Sequence, residues 1–170
     1  MEGIVGLVSI VLPTYNRGYC IARTVDSIIS QTYENWELII VDNSSTDNTA
    51  SILSKYRDDS RISVARVNNG GIIARSRNKG IELSKGSIVS FIDSDDPWLP
   101  SKLEKCIRRM GYGYEFIYHD LFEITQRRLT SSKRLGLGRR LREPVVKDLV
   151  VSGNAIATSS VVVSRSSTLN

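Results

Sequence analysis

Cysteine and histidine are scarce in this chain: Cys20, Cys106 and His119 are the whole complement. Two thiols so far apart make neither a disulfide framework nor a zinc site, so both read as buried free thiols in a reducing cytoplasm. Long apolar runs are lacking too. Ile4 to Leu12 is the longest near the start, well short of the roughly 20 residues that span a bilayer. Met1-Glu2 lacks the basic region of an export signal, so neither a membrane span nor export is expected. No G-x-G-x-x-G follows any apolar run, which argues against a dinucleotide-dependent oxidoreductase. A sugar-nucleotide pyrophosphorylase is disfavoured on the same kind of ground. It would need a glycine-rich basic loop after the first strand, where Pro13-Thr14-Tyr15-Asn16 stands instead.

What is present is an ordinary globular composition: 170 residues, 41% hydrophobic and 24% charged, without internal repeat or linker. That is room for one domain with one core. The formal charge of +5 is unevenly spread. Arg127, Arg128, Lys133, Arg134, Arg139, Arg140 and Arg142 crowd into one acid-free segment, and subtracting these seven leaves the remainder at about −2. Such a segment suits an anionic membrane surface, a phosphorylated acceptor or nucleic acid, and equally a solvated loop; of the three partners nucleic acid is the least expected. A peripheral place at the inner face of the cell membrane is the localisation that this segment would add to a cytoplasmic one.

Apolar runs and amphipathic stretches alternate along the first two thirds. Val8 to Leu12 reads as a covered central strand that ends in turn chemistry at Pro13-Thr14-Tyr15-Asn16-Arg17-Gly18. From about Ile21 to Gln31, Ile21, Val25, Ile28 and Ile29 recur at helical spacing. Trp36 to Val41 is a second strand with the polar tip Asp42-Asn43-Ser44-Ser45-Thr46-Asp47, and Ser45 or Thr46 is placed to cap a helix through about Tyr56. Ile62 to Val67 predicts a third strand. Asn68-Asn69-Gly70-Gly71 then turns into a helix from roughly Ile73 to Leu83, and a further helix begins at Pro100. Beyond Gly113 the sequence predicts a strand over Glu115 to Thr125, a short helix from Pro144 to near Gly153, and a strand-like Asn154 to Ser164. Four strand–helix alternations argue for a Rossmann-like, doubly wound, mainly parallel α/β sheet flanked by helices.

The fourth strand carries the chemistry. Ser87 to Ile92 is apolar and β-branched, then stops at Asp93-Ser94-Asp95-Asp96-Pro97. Three carboxylates in four positions repel one another unless a cation or hydrogen-bond donors compensate them, and hard divalent cations prefer oxygen. Mg²⁺ keeps few protein ligands and binds through one or two carboxylates plus substrate phosphates, so Mn²⁺ or Mg²⁺ with a phosphate-bearing ligand is the expected partner. Taken alone, the cluster is equally a solvated turn that caps the next helix. In open α/β sheets the strand ends near Pro13, Asp42 and Asp93 would share the ligand-binding edge.

Together, Val8 to Pro13 with Thr14-Tyr15-Asn16-Arg17, Val41-Asp42-Asn43-Ser44-Ser45-Thr46-Asp47, Ala74-Arg75-Ser76-Arg77-Asn78-Lys79-Gly80 and Asp93-Ser94-Asp95-Asp96 resemble glycosyltransferase family 2, with its GT-A fold. The resemblance covers about residues 8 to 110 as a nucleotide-sugar-binding half. Residues 111–170 would be the start of an acceptor-binding half of one domain, 1–170. It implies metal-dependent, inverting transfer from a nucleotide-diphosphate sugar, UDP-linked by preference. The acceptor would be a saccharide or lipid-linked molecule in surface polysaccharide or cell-envelope glycan synthesis. Carried over, Pro13, Thr14, Tyr15 and Asp42 would line the nucleoside pocket, with Asn16 in the same loop and Arg77 on the nucleotide side. Asp93 would open the acidic motif, and Asp95 and Asp96 would take the ribose and the metal.

Two departures matter. Asp42-Asn43-Ser44-Ser45 has one carboxylate fewer than the Asp-Asp-Gly-Ser of many members. The family's acidic general base is expected beyond residue 170, and Asp120, Glu123, Glu143 and Asp148 do not match its motif. His119 reads as a packed strand residue. A rival reading stays open in which the chain is a catalytically poor donor-binding fragment, or a phosphate- or nucleic-acid-binding module working through residues 127–142.

Overall fold

The structure, a computed structural model, describes residues 6–124, 132–135 and 140–165; for 122–124 and 132–135 it describes the backbone alone. Among the described residues, eight strands and five helices run in the order β1 (Val8–Thr14), α1 (Ile21–Ile29), β2 (Trp36–Asp42), α2 (Thr49–Leu53), β3 (Ile62–Arg66), α3 (Ile73–Leu83), β4 (Ile88–Phe91), α4 (Lys102–Met110), β5 (Phe116–Ile117), β6 (Leu121–Ile124), β7 (Ser132–Leu135), α5 (Val145–Ser152) and β8 (Val162–Ser164). Six strands form one sheet in the order β3-β2-β1-β4-β8-β5, and β6 and β7 form a separate pair. The first four strands of that order are mutually parallel, and β8 runs antiparallel to both β4 and β5.

β1 is central, flanked by parallel neighbours and buried along its whole length, a mostly apolar run that also encloses Ser9 and Thr14. Its alternate residues face two layers. Val8, Ile10 and Leu12 join Leu38, Ile40, Trp36 and Ile88 beneath α1, α2 and α4, whose Ile21, Val25, Ile28, Leu53, Leu103 and Ile107 complete the larger core. Val11 faces the other way with Val89, Val161 and Val163, against Ile81 of α3. The approach of α3 to β1 is close enough that a methyl group on Gly80 would strike the Val11 side chain.

Several boundaries differ from the expectation for a nameable reason. The hydroxyl of Ser45 is used by Asp42 and by the Asn16 N–H, so neither Ser45 nor Thr46 caps the second helix, which starts at Thr49 and finishes in a 3₁₀ turn, Ser54–Tyr56. The fourth helix begins at Lys102 rather than Pro100, whose carbonyl is held by the Thr32 N–H at 2.9 Å. The single strand expected over Glu115 to Thr125 is two short ones, because Phe116–Ile117 pairs with β8 while Leu121–Ile124 pairs with β7 in another sheet. His119 therefore lies between strands, with Nδ1 2.8 Å from the Asp120 carbonyl. Asn154 to Ser164 shortens to β8 behind a 3₁₀ turn, Thr158–Ser160.

Candidate active site

Four parallel strands end at one edge of the sheet, and polar loops follow each. A cavity of about 320 Å³ opens there, within the size range of small-ligand sites. Its walls are Pro13, Thr14, Tyr15 and Arg17 from the end of β1, Asn43 after β2, and Asn69 and Gly71 after β3. Ile73 and Ser76 of α3 and Asp93, Ser94 and Asp95 after β4 complete it.

The first two loops are tied to each other. Asn16 and Ser44 adopt φ of 50° and 56°, a left-handed backbone that non-glycine residues enter only when the surroundings hold them there. Here the Asn16 N–H donates to Ser45 Oγ at 2.9 Å, Asn16 Oδ1 accepts from the Thr46 N–H at 2.8 Å, and Ser44 Oγ donates to the Val67 carbonyl at 2.8 Å. The Gly18 N–H donates to Asp47 Oδ2 at 3.0 Å, and a side chain at Gly18 would collide with Asn48. Asp42 belongs to this scaffold. It is 4% exposed, and its Oδ1 accepts from the Ser45 N–H at 3.1 Å and from the Ser45 hydroxyl.

The acidic tip is held from three directions. Thr24 of α1 donates to the Ser94 carbonyl at 2.8 Å. Arg77 of α3 forms an ion pair with Asp93 at 2.7 Å, with its Nε buried and unpartnered. From the turn before β8, Ser159 Oγ accepts the Asp93 N–H at 3.0 Å and donates to Asp96 Oδ2 at 2.7 Å. Burial pushes the Asp96 carboxyl above the usual carboxylate range. The Ser159 hydrogen bond opposes that shift, while the charges of Asp95 and Asp93 add to it.

Of the residues expected in the site, Pro13, Thr14, Tyr15, Asp93 and Asp95 line the cavity, whereas Asn16, Asp42, Arg77 and Asp96 are not among its lining residues. Thr14 is the most telling. It is 5% exposed, and its hydroxyl has no hydrogen-bond partner among the described residues. Sequence reasoning passed over Asn43, Asn69, Gly71 and Ser76. Asn69 and Gly71 were visible as a turn after the third strand and follow from the same edge rule as the other tips. Ser76 lines the cavity and accepts from Asn69 Nδ2 at 2.8 Å.

As a cation site, the tip offers two carboxylates, Asp95 exposed on the cavity wall and Asp96 half-buried, since Asp93 is engaged by Arg77. Among the described residues no group of three or more histidine, cysteine or acidic side chains gathers as a metal cage. Two carboxylates carrying excess negative charge fit a hard divalent ion that draws its remaining oxygens from phosphate and water.

The basic segment is only partly visible. Arg127, Arg128 and Arg139 lie outside the described residues, Lys133 and Arg134 fall on β7, and Arg140 and Arg142 are exposed. No helix among the described residues is long and apolar enough to cross a membrane. Burial lowers the affinity of His119 for a proton, and its ring does not line the cavity.

Comparison with known proteins places these features. The chain is 43% identical over 104 residues to the UDP-Glc:alpha-D-GlcNAc-diphosphoundecaprenol beta-1,3-glucosyltransferase WfaP of Escherichia coli, covering 61% of this chain and 41% of that protein. WfgD of Escherichia coli, with the same activity in its name, is 38% identical over 104 residues, 61% of this chain and 41% of its own length. The chain thus spans about two fifths of the length of these relatives. Among solved structures, TarS 1-349 of S. aureus in complex with UDP-GlcNAc superposes with a TM-score of 0.67 at 25% identity, over 78% of this chain and 38% of that one. The sheet and its flanking helices are those of the GT-A fold. The family described as Glycosyl transferase family 2 matches residues 9–156, and the chain belongs to that family.

Proposed function

We propose that this chain is the donor-binding part of an inverting glycosyltransferase that takes a sugar from a UDP-sugar with the help of Mn²⁺ or Mg²⁺. The observation that carries the reading is the strand-edge cavity itself, with the unpartnered Thr14 hydroxyl and the Tyr15 ring on one side and Asp93 to Asp95 on the other. Thr14 and Asn43 supply polar contacts for a nucleoside, and Tyr15 supplies aromatic surface against which a base can stack. Asp42 fixes the loop that presents them. Asp95 and Asp96 would hold the divalent ion, whose contribution is to neutralise charge developing on the departing nucleoside diphosphate. Arg77 keeps Asp93 neutralised, so that the carboxylate pair left for the ion is Asp95 and Asp96. The similarity to a structure that contains UDP-GlcNAc supports the choice of a uridine nucleotide.

For the acceptor, the Escherichia coli relatives are named for a diphosphoundecaprenol-linked sugar, which supports a lipid-linked or saccharide acceptor in cell-envelope glycan or surface polysaccharide synthesis. The exposed Arg140 and Arg142 fit contact with an anionic membrane surface, each basic group contributing about 1 kcal/mol there. Co-sedimentation with vesicles with and without anionic lipid tests that contact, and equal partitioning to both would remove it.

Calorimetry with UDP tests the central reading. Binding is expected with Mn²⁺ or Mg²⁺ present, to fall at least tenfold without metal, and to fall similarly in Asp96→Ala. Equal affinity with and without the ion would overturn the roles given to Asp95 and Asp96.

A further inference from the structure

Ser159 has contacts that neither the cavity wall nor the acidic motif accounts for. It lies 63 residues beyond Asp96, in the 3₁₀ turn Thr158–Ser160 that leads into β8, and it is 1% exposed. Its hydroxyl has one proton and spare lone pairs, and both functions are spent on the acidic tip. The proton goes to Asp96 Oδ2 at 2.7 Å and a lone pair receives the Asp93 N–H at 3.0 Å. Its carbonyl is held in turn by Trp98 Nε1 at 3.0 Å, and Trp98 itself is anchored to α1 through its N–H to Ser27 Oγ at 3.0 Å. The hydroxyl is therefore fixed at both ends and cannot rotate away without leaving a buried group unpaired.

We infer that Ser159 is a positioning residue for the divalent-ion site, holding one Asp96 oxygen so that the carboxylate meets the ion in one orientation. Resting on the donor-site reading above, this extends it to a segment that the motif order assigns to the acceptor side. Because β8 is hydrogen-bonded to β4, the turn before β8 arrives directly beneath the β4 tip. A carboxylate that accepts from a fixed hydroxyl keeps one oxygen committed and loses the freedom to swing. Groups of this kind, one shell out from an ion, typically alter metal affinity 10–100-fold when removed. Ser159 is not among the residues that line the cavity, and its one proton goes to Asp96, so its removal is expected to act mainly through that carboxylate.

The experiment titrates Mn²⁺ by electron paramagnetic resonance in the presence of UDP, for the wild-type chain, Asp96→Ala, Ser159→Ala and Ser159→Thr. Uridine binding, which involves no phosphate and no ion, is measured alongside by NMR line shifts. Ser159→Ala should weaken Mn²⁺ binding about tenfold or more while uridine affinity stays within twofold, and Ser159→Thr, which keeps the hydroxyl, should recover most of the loss. Where Ser159→Ala does not fold, Ser159→Cys, near in shape with a weak donor, takes its place with the same expectation. Unchanged Mn²⁺ affinity in a folded Ser159→Ala or Ser159→Cys chain, beside a wild type that binds and an Asp96→Ala that does not, would overturn the role of Ser159 alone. Equal losses of Mn²⁺ and uridine would also overturn it, since they would mark Ser159 as general structure. A wild type that takes no Mn²⁺ with UDP would instead overturn the donor-site reading.

Discussion

Lys102 should weaken this fold at neutral pH, and replacing it by methionine should stabilise the protein. The side-chain amine sits at the start of α4, buried, with Nζ 2.7 Å from Ser90 Oγ and 3.5 Å from the centre of the Trp98 ring. Burial pushes it down to about 7 from 10.5. A lysine whose folded value is depressed is protonated in the unfolded chain and largely neutral in the folded one between those limits. Stability therefore rises with pH from about 7 to about 10.5 and is lost as pH falls through that window. At 1.36 kcal/mol for each pH unit, the interval corresponds to about 5 kcal/mol. At pH 7 the folded amine is about half neutralised, which trims that to about 4 kcal/mol, and its hydrogen bond to Ser90 Oγ, which methionine gives up, is worth about 1 kcal/mol, so the replacement gains about 3 kcal/mol. Methionine keeps the unbranched stem and the contact with Trp98, and Ser90 Oγ still donates to the Val161 carbonyl at 2.9 Å. Lys102→Met should thus raise the thermal midpoint by about 6–12 °C at pH 7, at roughly 2–4 °C per kcal/mol. The gain should shrink as pH approaches 10. Circular dichroism melts of both proteins from pH 6.5 to 10 measure the difference. A Lys102→Met chain less stable than wild type at pH 7, or a gain that does not vary with pH, would refute the reasoning.

Two further outcomes are expected. Thr14→Val removes a buried hydroxyl that has no partner among the described residues and should leave stability unchanged or raise it by about 1 kcal/mol, while weakening UDP binding several-fold. Urea unfolding and calorimetry on the same preparation check both halves, and a loss of stability with full UDP affinity would contradict the placement of that hydroxyl in the ligand site. Gly80→Ala gains about 1 kcal/mol of helix propensity but drives a methyl group into Val11, an overpacking cost of about 1–3 kcal/mol. Net destabilisation in urea should follow and should be partly reversed by Val11→Ala.

The order of strands and helices from β1 to α4, and the edge of the sheet that would bind a ligand, are properties of the linear sequence. Runs such as Val8 to Leu12 and Trp36 to Val41 bury both faces, and the strands built on them run on only to Thr14 and Asp42 before the polar loops begin. The acidic motif and the Thr14-Tyr15 tip were legible for the same local reason. Local pattern misled where one residue type serves two purposes. Ser45 looks like a helix cap, but its hydroxyl is nearer in space to Asp42 and Asn16. Glu115 to Thr125 looks like one strand but is shared between two sheets. Tertiary structure alone decided which acidic residues are free, because Arg77 reaches Asp93 across the gap between α3 and β4, and no periodicity records that pairing. It alone brought Ser159 to the tip, since the antiparallel return of β8 closes a loop of more than sixty residues onto Asp96. Spacing along a chain reports what one element does with its own two faces. Contacts between side chains far apart in sequence depend on how those elements pack.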